Sequence, residues 1–275
     1  INDADNSTQT IYNFTGNWYE NNQSLLVLNM PFVTNTTDVK DYSGYNNNGT
    51  ISGALWQRYL NEDNNSLVLL MPFDEDNSTT AIDSSDYRNN GVLSGATLNR
   101  TDCITGTCYT FDGVNDGINI SNSDNLNISN ALTIEAWVKP AVGSNSNVHR
   151  IVSKWDFING QYLLSFNDNG INSFRFALQN SSGTVPIIDS NTVATLGNWY
   201  HVTVVYNTTA IIIYINGIQE ASTGAFGTTV SSTDQITIGF SNNGDPTRHF
   251  NGSIDNVRIY KKALSSSEIQ DHYEK

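Results

Sequence analysis

The segment Leu132-Thr133-Ile134-Glu135-Ala136-Trp137-Val138-Lys139-Pro140 has the strong periodicity of a β-strand. Short segments of the same kind recur through the rest of the chain, and their connections are short and rich in Gly and Asn. The further predicted strands cover residues 109–111, 117–120, 150–154, 162–166, 174–178, 185–188, 199–206, 211–215, 236–240 and 252–260. Many short strands at this spacing predict an all-β sandwich or jelly roll.

Two local motifs support this prediction. Asn216-Gly217 supplies the two positive-φ residues of a two-residue type I′ turn, which predicts a hairpin. Near the C-terminal end, Ser265 and Glu268 have the spacing of a capping box, and Ile269 and Tyr273 lie on one face of the short helix that would follow.

Composition limits the classes of function. The 275 residues are 38% hydrophobic and 15% charged, which suits a folded protein with a sizeable core. The net charge is −14 and Lys and Arg form no cluster, which argues against nucleic acid as a partner. An acidic surface either attracts divalent cations or only keeps the protein in solution. The longest apolar runs, such as 210–215, are too short for a membrane span.

Two features favour a secreted or cell-surface protein. Cys103 and Cys108 close a short loop with Gly106 at its turn, and they suit a disulfide; free thiols are the alternative. The chain also holds thirteen N-glycosylation sequons, and N-glycans mark secreted surfaces. They begin at Asn6, Asn13, Asn22, Asn35, Asn48, Asn64, Asn77, Asn99, Asn119, Asn127, Asn180, Asn207 and Asn251.

An internal repeat occupies the first third of the chain, with a period of 41 to 42 residues. Residues 24–32 (SLLVLNMPF) recur as residues 66–73 (SLVLLMPF). Residues 41–54 (DYSGYNNNGTISGA) recur as residues 83–96 (DSSDYRNNGVLSGA). Each copy is read as strand, polar loop and strand, and only the second copy continues into a full set of strands.

From about residue 66 to 275 the chain resembles the laminin-G-like, pentraxin-related branch of the concanavalin-A-like jelly rolls. The resemblance rests on seven ordered segments: 67–74, 83–91, 111–116 (FDGVND), 132–140, 197–206 (GNWYHVTVVY), 214–217 (YING) and 252–260 (GSIDNVRIY). It implies two antiparallel sheets packed face to face. We therefore predict a jelly-roll domain over 66–275 and an extended N-terminal β arm over 1–65, with the truncated repeat at about 24–60.

The resemblance also implies a structural Ca²⁺ in many members. Asp83 and Asn90 in the polar loop, together with Asp255 of a late strand, offer the oxygen ligands that Ca²⁺ requires. The alternative is that Asp83 and Asn90 make turn-type hydrogen bonds to the backbone. The same two interpretations apply to Asp112 and Asp116, where turn chemistry is the simpler one.

Aromatic residues near a polar loop raise the question of sugar binding. Trp155, Phe157 and Tyr162 offer rings that could stack on a sugar face, with core packing as the alternative. No catalytic motif is present: Glu135 stands alone between Ile134 and Ala136, whereas carboxylate catalysis of glycoside hydrolysis needs a pair. We expect that the protein is not an enzyme.

Two functions remain in competition because the fold hosts many activities. The first is a self-assembling structural surface protein in which the arm donates strands to a neighbouring subunit and builds a homo-oligomer or filament. The residues expected to make that contact are Leu26, Leu28, Met30 and Phe32. The second is a carbohydrate-binding or adhesion module with a glycan ligand, for which Trp155 is the candidate contact.

Overall fold

The computed structural model describes residues 66–77, 79–143, 148–155, 160–225, 227–241 and 245–274, and only four short strands before them. The chain divides into two units, Ile1–Asn61 and Glu62–Lys275. In the first unit the described strands are β1 (Tyr19–Glu20), β2 (Gln23–Ser24), β3 (Asp38–Val39) and β4 (Gly49–Thr50). The predicted contact residues Leu26, Leu28, Met30 and Phe32 lie outside the described residues.

The second unit contains sixteen described strands and one helix. In chain order these are β5 (Leu67–Met71), β6 (Thr80–Ala81), β7 (Gly91–Ser94), β8 (Thr97–Asn99), β9 (Cys108–Asp112), β10 (Gly117–Ile120), β11 (Leu132–Pro140), β12 (His149–Lys154), β13 (Tyr162–Phe166), β14 (Phe174–Leu178), β15 (Ile187–Asp189), β16 (Tyr200–Tyr206), β17 (Ala210–Ile215), β18 (Ile218–Gly224), β19 (Ile236–Ile238), β20 (Asn251–Tyr260) and α1 (Ser266–Glu274).

The strands of the second unit form two antiparallel eight-stranded sheets. Sheet I has the order β15-β14-β13-β12-β19-β10-β7-β6. Sheet II has the order β18-β17-β16-β11-β20-β9-β8, and β5 also pairs with β20. This is the predicted concanavalin-A-like sandwich with a short C-terminal helix, because the apolar faces of the two sheets pack against each other.

Strand alternation fills the core between the sheets. Along β11 the residues Leu132, Ile134, Ala136 and Val138 are buried in the core cluster. The alternate residues of β11 face the opposite side, where α1 covers the sheet: the ring of Trp137 stacks on that of Tyr273, with centroids 5.6 Å apart. The core therefore lies between the sheets, and the helix closes the back of sheet II.

Local turn and cap chemistry agrees with the sequence. Asn216 and Gly217 have φ values of 52° and 76°, as a type I′ turn between β17 and β18 requires. At the helix, Glu268 N donates to Ser265 Oγ and Ser265 N donates to Glu268 Oε2, which is the predicted capping box. One predicted strand is too long: β19 ends at Ile238 because Gly239 has a φ of 85°.

The repeat is visible in the backbone pairing of the described strands. In the first unit β3 pairs with β4 through Asp38↔Thr50 and Val39↔Gly49. In the second unit β6 pairs with β7 through Thr80↔Val92 and Ala81↔Gly91. Each position of the first pair corresponds to the position 42 residues later, so the two copies form the same strand pair in the same register.

Candidate functional site

The outer face of sheet I carries a row of small and polar side chains. Register alignment places Ile118, Ile238, Val152, Leu164, Phe176 and Ile188 in one row, all in the core cluster. The next row lies on the opposite face and consists of Asn119, Thr237, Ser153, Leu163, Ala177 and Ile187. The outer face of sheet I is therefore more polar than its inner face, which packs in the core.

A β-bulge in β12 aims three residues at this outer face. The pairing of β12 with β13 shifts between Arg150 and Val152, so that Arg150 faces Ser165 while Ser153 faces Leu163. A bulge of this kind re-aims side chains. Strand alternation after Ser153 places Trp155 on the same side. Arg150, Ser153 and Trp155 thus form a line along the strand, the β12 strip, roughly 13 Å long at the usual strand rise.

Two polar atoms of the β12 strip are buried without a hydrogen-bond partner among the described residues. Arg150 is 5% exposed and Ser153 is 1% exposed. Within the described part of the chain, Arg150 Nε and Ser153 Oγ have no hydrogen-bond partner. A buried polar atom without a partner costs free energy, and both atoms lie beneath the surface of sheet I.

Arginine–aspartate pairs flank the strip. Arg150 Nη1 lies 2.9 Å from Asp168 Oδ2, which also accepts from Ser165 Oγ. Arg175 makes a two-bond contact with Asp189, at 2.7 and 2.8 Å. Burial lowers the pKa of Arg150, and Asp168 opposes that shift. Sequence reasoning did not single out these four charged residues, although the position of Arg150 and Arg175 within predicted strands was a usable signal.

Trp155, the predicted ligand contact, lies at the end of β12. Its side chain is half-buried, and its ring packs on Gly160: a Cβ added to that glycine would lie 2.0 Å from the ring. Tyr162 is fully buried in the core, so the packing interpretation holds for that residue. Phe157 lies outside the described residues.

Asp83 and Asn90 meet in one hydrogen-bonded loop. Asp83 Oδ1 accepts from Leu70 N and Ser85 N, and Oδ2 accepts from Ser85 Oγ and Asn89 N. Asn90 Oδ1 accepts from Asp83 N at 2.9 Å. Both carboxylate oxygens of Asp83 therefore face hydrogen-bond donors, an arrangement that fits turn bracing better than cation ligation.

Asp255 lies against the loop that the cysteines close. Its Oδ2 accepts from Ile104 N and Thr105 N, and burial, followed by the charge of Asp74, raises its pKa to about 7. The described residues contain no group of three or more His, Cys, Asp or Glu side chains arranged to hold a metal ion. The prediction of a bound Ca²⁺ stays a prediction, to be tested by chelation.

The cysteine and FDGVND predictions have clear structural counterparts. Cys103 and Cys108 form a disulfide with an S–S distance of 2.12 Å. Asp112 Oδ1 accepts from Val114 N at 2.8 Å, and Asp116 Oδ2 accepts from Asp112 N at 2.8 Å. Asp112 and Asp116 thus make the turn contacts of the simpler interpretation.

Glu135 is buried and bound to the C-terminal helix. It has no exposed surface, and His272 Nδ1 lies 2.9 Å from its Oε2. Burial opposes ionisation, but the hydrogen bond from His272 and the neighbouring charge of Arg258 outweigh burial and hold the pKa of Glu135 below its usual value. This carboxylate braces α1 and is closed to solvent.

The described sequons differ in exposure. Asn77 and Asn207 are exposed, Asn99, Asn119, Asn127 and Asn251 are half-buried, and Asn180 is 4% exposed. Asn6, Asn13, Asn22, Asn35, Asn48 and Asn64 lie outside the described residues. No helix in the described ranges is long and apolar enough to cross a membrane.

Comparison with known proteins gives one family and a set of similar folds. The family model described as Concanavalin A-like lectin/glucanases superfamily (Laminin_G_3) matches residues 112–270. No curated protein matches the sequence.

Solved structures with this fold include three binding-type domains. Domain 4 of AbnA, a GH43 extracellular arabinanase from Geobacillus stearothermophilus, is 24% identical with a TM-score of 0.58, over 75% of this chain and 97% of that domain. The binding domain of Paraclostridial Mosquitocidal Protein 1 is 18% identical with a TM-score of 0.63, over 76% of this chain and 52% of that one. The botulinum neurotoxin serotype D binding domain is 21% identical with a TM-score of 0.60, over 77% of this chain and 52% of that one. The chain thus spans about half the length of the two toxin domains.

Proposed function

The chain belongs to the Laminin_G_3 family of the concanavalin A-like lectin/glucanase superfamily, and we propose that it is an extracellular carbohydrate-binding module that takes its ligand along the β12 strip. The observation that carries the proposal is the half-buried ring of Trp155 on the face of sheet I that also presents the donor and acceptor atoms of the Arg150–Asp168 and Arg175–Asp189 pairs. Sugars offer hydroxyl groups to such atoms and an apolar face to such a ring.

The charge of the neighbouring residues favours a neutral ligand. Arg150 and Arg175 are each paired with an aspartate, so the face offers donors and acceptors without excess charge of one sign. Balanced arginine and carboxylate groups suit vicinal hydroxyls. The AbnA domain, which is known in complex with arabinotriose, supports a neutral oligosaccharide as the first probe.

Calorimetric titration of the full chain with arabinotriose, followed by a glycan array, tests this function. Trp155→Ala should weaken binding about tenfold, since loss of a stacked ring is worth on the order of 1 kcal/mol. Trp155→Phe should retain most of the binding affinity. Val114→Ala, at an exposed residue away from β12, is the matched control and should bind as the unaltered chain does. A glycan array without any hit, or an affinity that Trp155→Ala leaves unchanged, would overturn the proposal.

We also propose that the module binds sugars without cleaving them. Glu135, the single acidic residue of β11, is fully buried and held by His272. Carboxylate catalysis needs two acids that reach one bond. Chromatography of a hit oligosaccharide after prolonged incubation should show no hydrolysis product.

A second candidate function is strand donation to a neighbouring subunit, which the shared register of β3–β4 and β6–β7 favours. An arm that copies strands already accepted by this fold is suited to adding strands elsewhere. Deletion of residues 1–60 should then convert an assembled protein into a monomer while the 66–275 sandwich keeps its melting behaviour. A deleted chain that still assembles would exclude strand donation by the arm.

A further inference from the structure

Residues 66–96, called here the insert, join the two sheets. Its first strand, β5, pairs with Val257–Tyr260 of β20 in sheet II. Its last strand, β7, pairs with β10 in sheet I. We call the surface formed by β20 and β10 the seat of the insert.

The loop of the insert is held to β5 by a small set of polar residues. Asp83 accepts from Leu70 N, and Asn89 Nδ2 donates to Val68 O at 2.9 Å. Residues 24–54 keep the four polar residues that brace this loop. Asp41, Ser43, Asn47 and Asn48 match Asp83, Ser85, Asn89 and Asn90, in that order. The first copy therefore retains the side chains that brace the insert internally.

Gly91 shows that the insert is also shaped by its seat. A Cβ added to Gly91 would lie 2.4 Å from Ile118 Cγ2, and Ile118 belongs to β10, outside the insert. The φ of Gly91 is not in the left-handed region, so this glycine is needed for space and not for backbone conformation. The first copy has glycine at the matching position, Gly49.

Gly95 carries no independent evidence for the seat, because its φ of 73° already requires glycine whatever residue lies beside it. A Cβ added there would lie 2.0 Å from Asp116 Oδ1, and Asp116 is likewise outside the insert. The matching residue of the first copy is Gly53. The counterpart of Gly91, the glycine that meets the seat, is therefore present in the first copy as Gly49, and that of Gly95 as Gly53.

We propose that residues 24–54 are a second insert, which docks in the vacant seat of another jelly-roll domain of this family. The proposal rests on the strand-donation candidate above and names its donor and its acceptor surface. Within the described residues the chain offers one seat, and its own 66–96 segment fills it. The first copy is therefore surplus in its own chain and available to a partner that lacks an insert.

A transplant tests whether the two inserts are interchangeable. In the full chain, residues 66–96 are replaced by the sequence of residues 24–54, and folding is followed by near-UV circular dichroism and thermal melting. The transplanted chain should melt cooperatively. Gly49→Val in the transplanted copy should abolish that transition because of the clash with Ile118. Gly44→Asp in the transplanted copy is the matched control and should be tolerated, since Asp86 occupies that position in the native insert.

Co-purification tests docking between chains. The acceptor is a tagged full chain with Gly49→Val and Gly91→Val, in which neither insert can be seated, and the untagged donor is the unaltered chain. The donor should be retained by the acceptor, and a Gly49→Val donor should not.

The outcomes separate the inference from the function on which it rests. An unfolded transplant, a Gly49→Val transplant that melts normally, or equal retention of both donors would overturn the second-insert proposal. Loss of assembly on deletion of residues 1–60 would then still support strand donation, but through a different edge.

Discussion

His272 Nδ1 lies 2.9 Å from Glu135 Oε2 and so ties the C-terminal helix to the middle strand of sheet II. The carboxylate has no exposed surface, and Arg258 Nη1 lies 3.8 Å from the same oxygen. Breaking a buried ion pair leaves the remaining charges without compensation, which is strongly destabilising.

Glu135→Gln should therefore lower the free energy of unfolding by on the order of 3 kcal/mol, measured by urea denaturation. Lys262→Ala is the matched control because it removes the solvent-exposed ion pair of the same helix with Glu268, which should contribute about 1 kcal/mol or less. Equal losses of unfolding free energy for the two variants would show that the buried pair contributes no more to stability than the exposed one.

The pH dependence of stability should carry the signature of His201. Burial lowers its pKa to about 4, below the ordinary value near 6.5, so the unfolded chain binds the proton more readily. Stability is then fully present above pH 6.5 and is lost as pH falls from about 6.5 towards 4. Thermal melts across this pH range should show the loss of stability, and His201→Gln should make the melting temperature less dependent on pH. A profile that is unchanged by the substitution would assign the acid sensitivity to other groups.

Calcium binding predicts a chelator effect. Excess chelator should lower the melting temperature of the native protein, and added Ca²⁺ should restore it. Asp83→Ala distinguishes a Ca²⁺ ligand from a residue that only braces the loop. If Asp83 is a ligand, chelator should no longer change the melting temperature of the variant. If Asp83 only braces the loop, the substitution should lower the melting temperature by the same amount with and without chelator. An unchanged melting curve of the native chain in chelator would contradict the prediction.

Glycan occupancy should follow exposure. Asn207 is exposed, and its Oδ1 accepts from Thr209 N and Oγ1 in an Asx turn. Asn180 makes the same contacts with Ser182 but is 4% exposed, so an attached glycan would have no room. Peptide mass spectrometry of native material should find Asn207 and Asn77 occupied and Asn180 bare. A glycan on Asn180 would contradict this, and a mass equal to the 30.3 kDa polypeptide would show that the sequons are unused.

The elements that sequence patterns predicted well are local. The Asn216-Gly217 turn and the Ser265–Glu268 cap depend on contacts within four residues, so the sequence alone carries their signal. The pairing of β20 with β5 and β9 joins distant segments, and no periodicity reveals such a partner.

The candidate site was only partly predictable for the same reason. Trp155 stood out as an aromatic residue near a polar loop, but the bulge that puts Arg150 and Ser153 on its side appears only in the pairing of β12 with β13. Likewise, the donors that surround Asp83 are backbone groups of β5 and of its own loop, which residue types do not reveal.

The position of β20 has a consequence for biosynthesis. This last strand is internal to sheet II, since β11 pairs along one side of it and β9 and β5 share the other. Strand β5 is made early but, among the described strands, has no partner until β20 leaves the ribosome. The sandwich therefore cannot close from β5 onward during synthesis, and the segment between β5 and β20 stays open until β20 has been made.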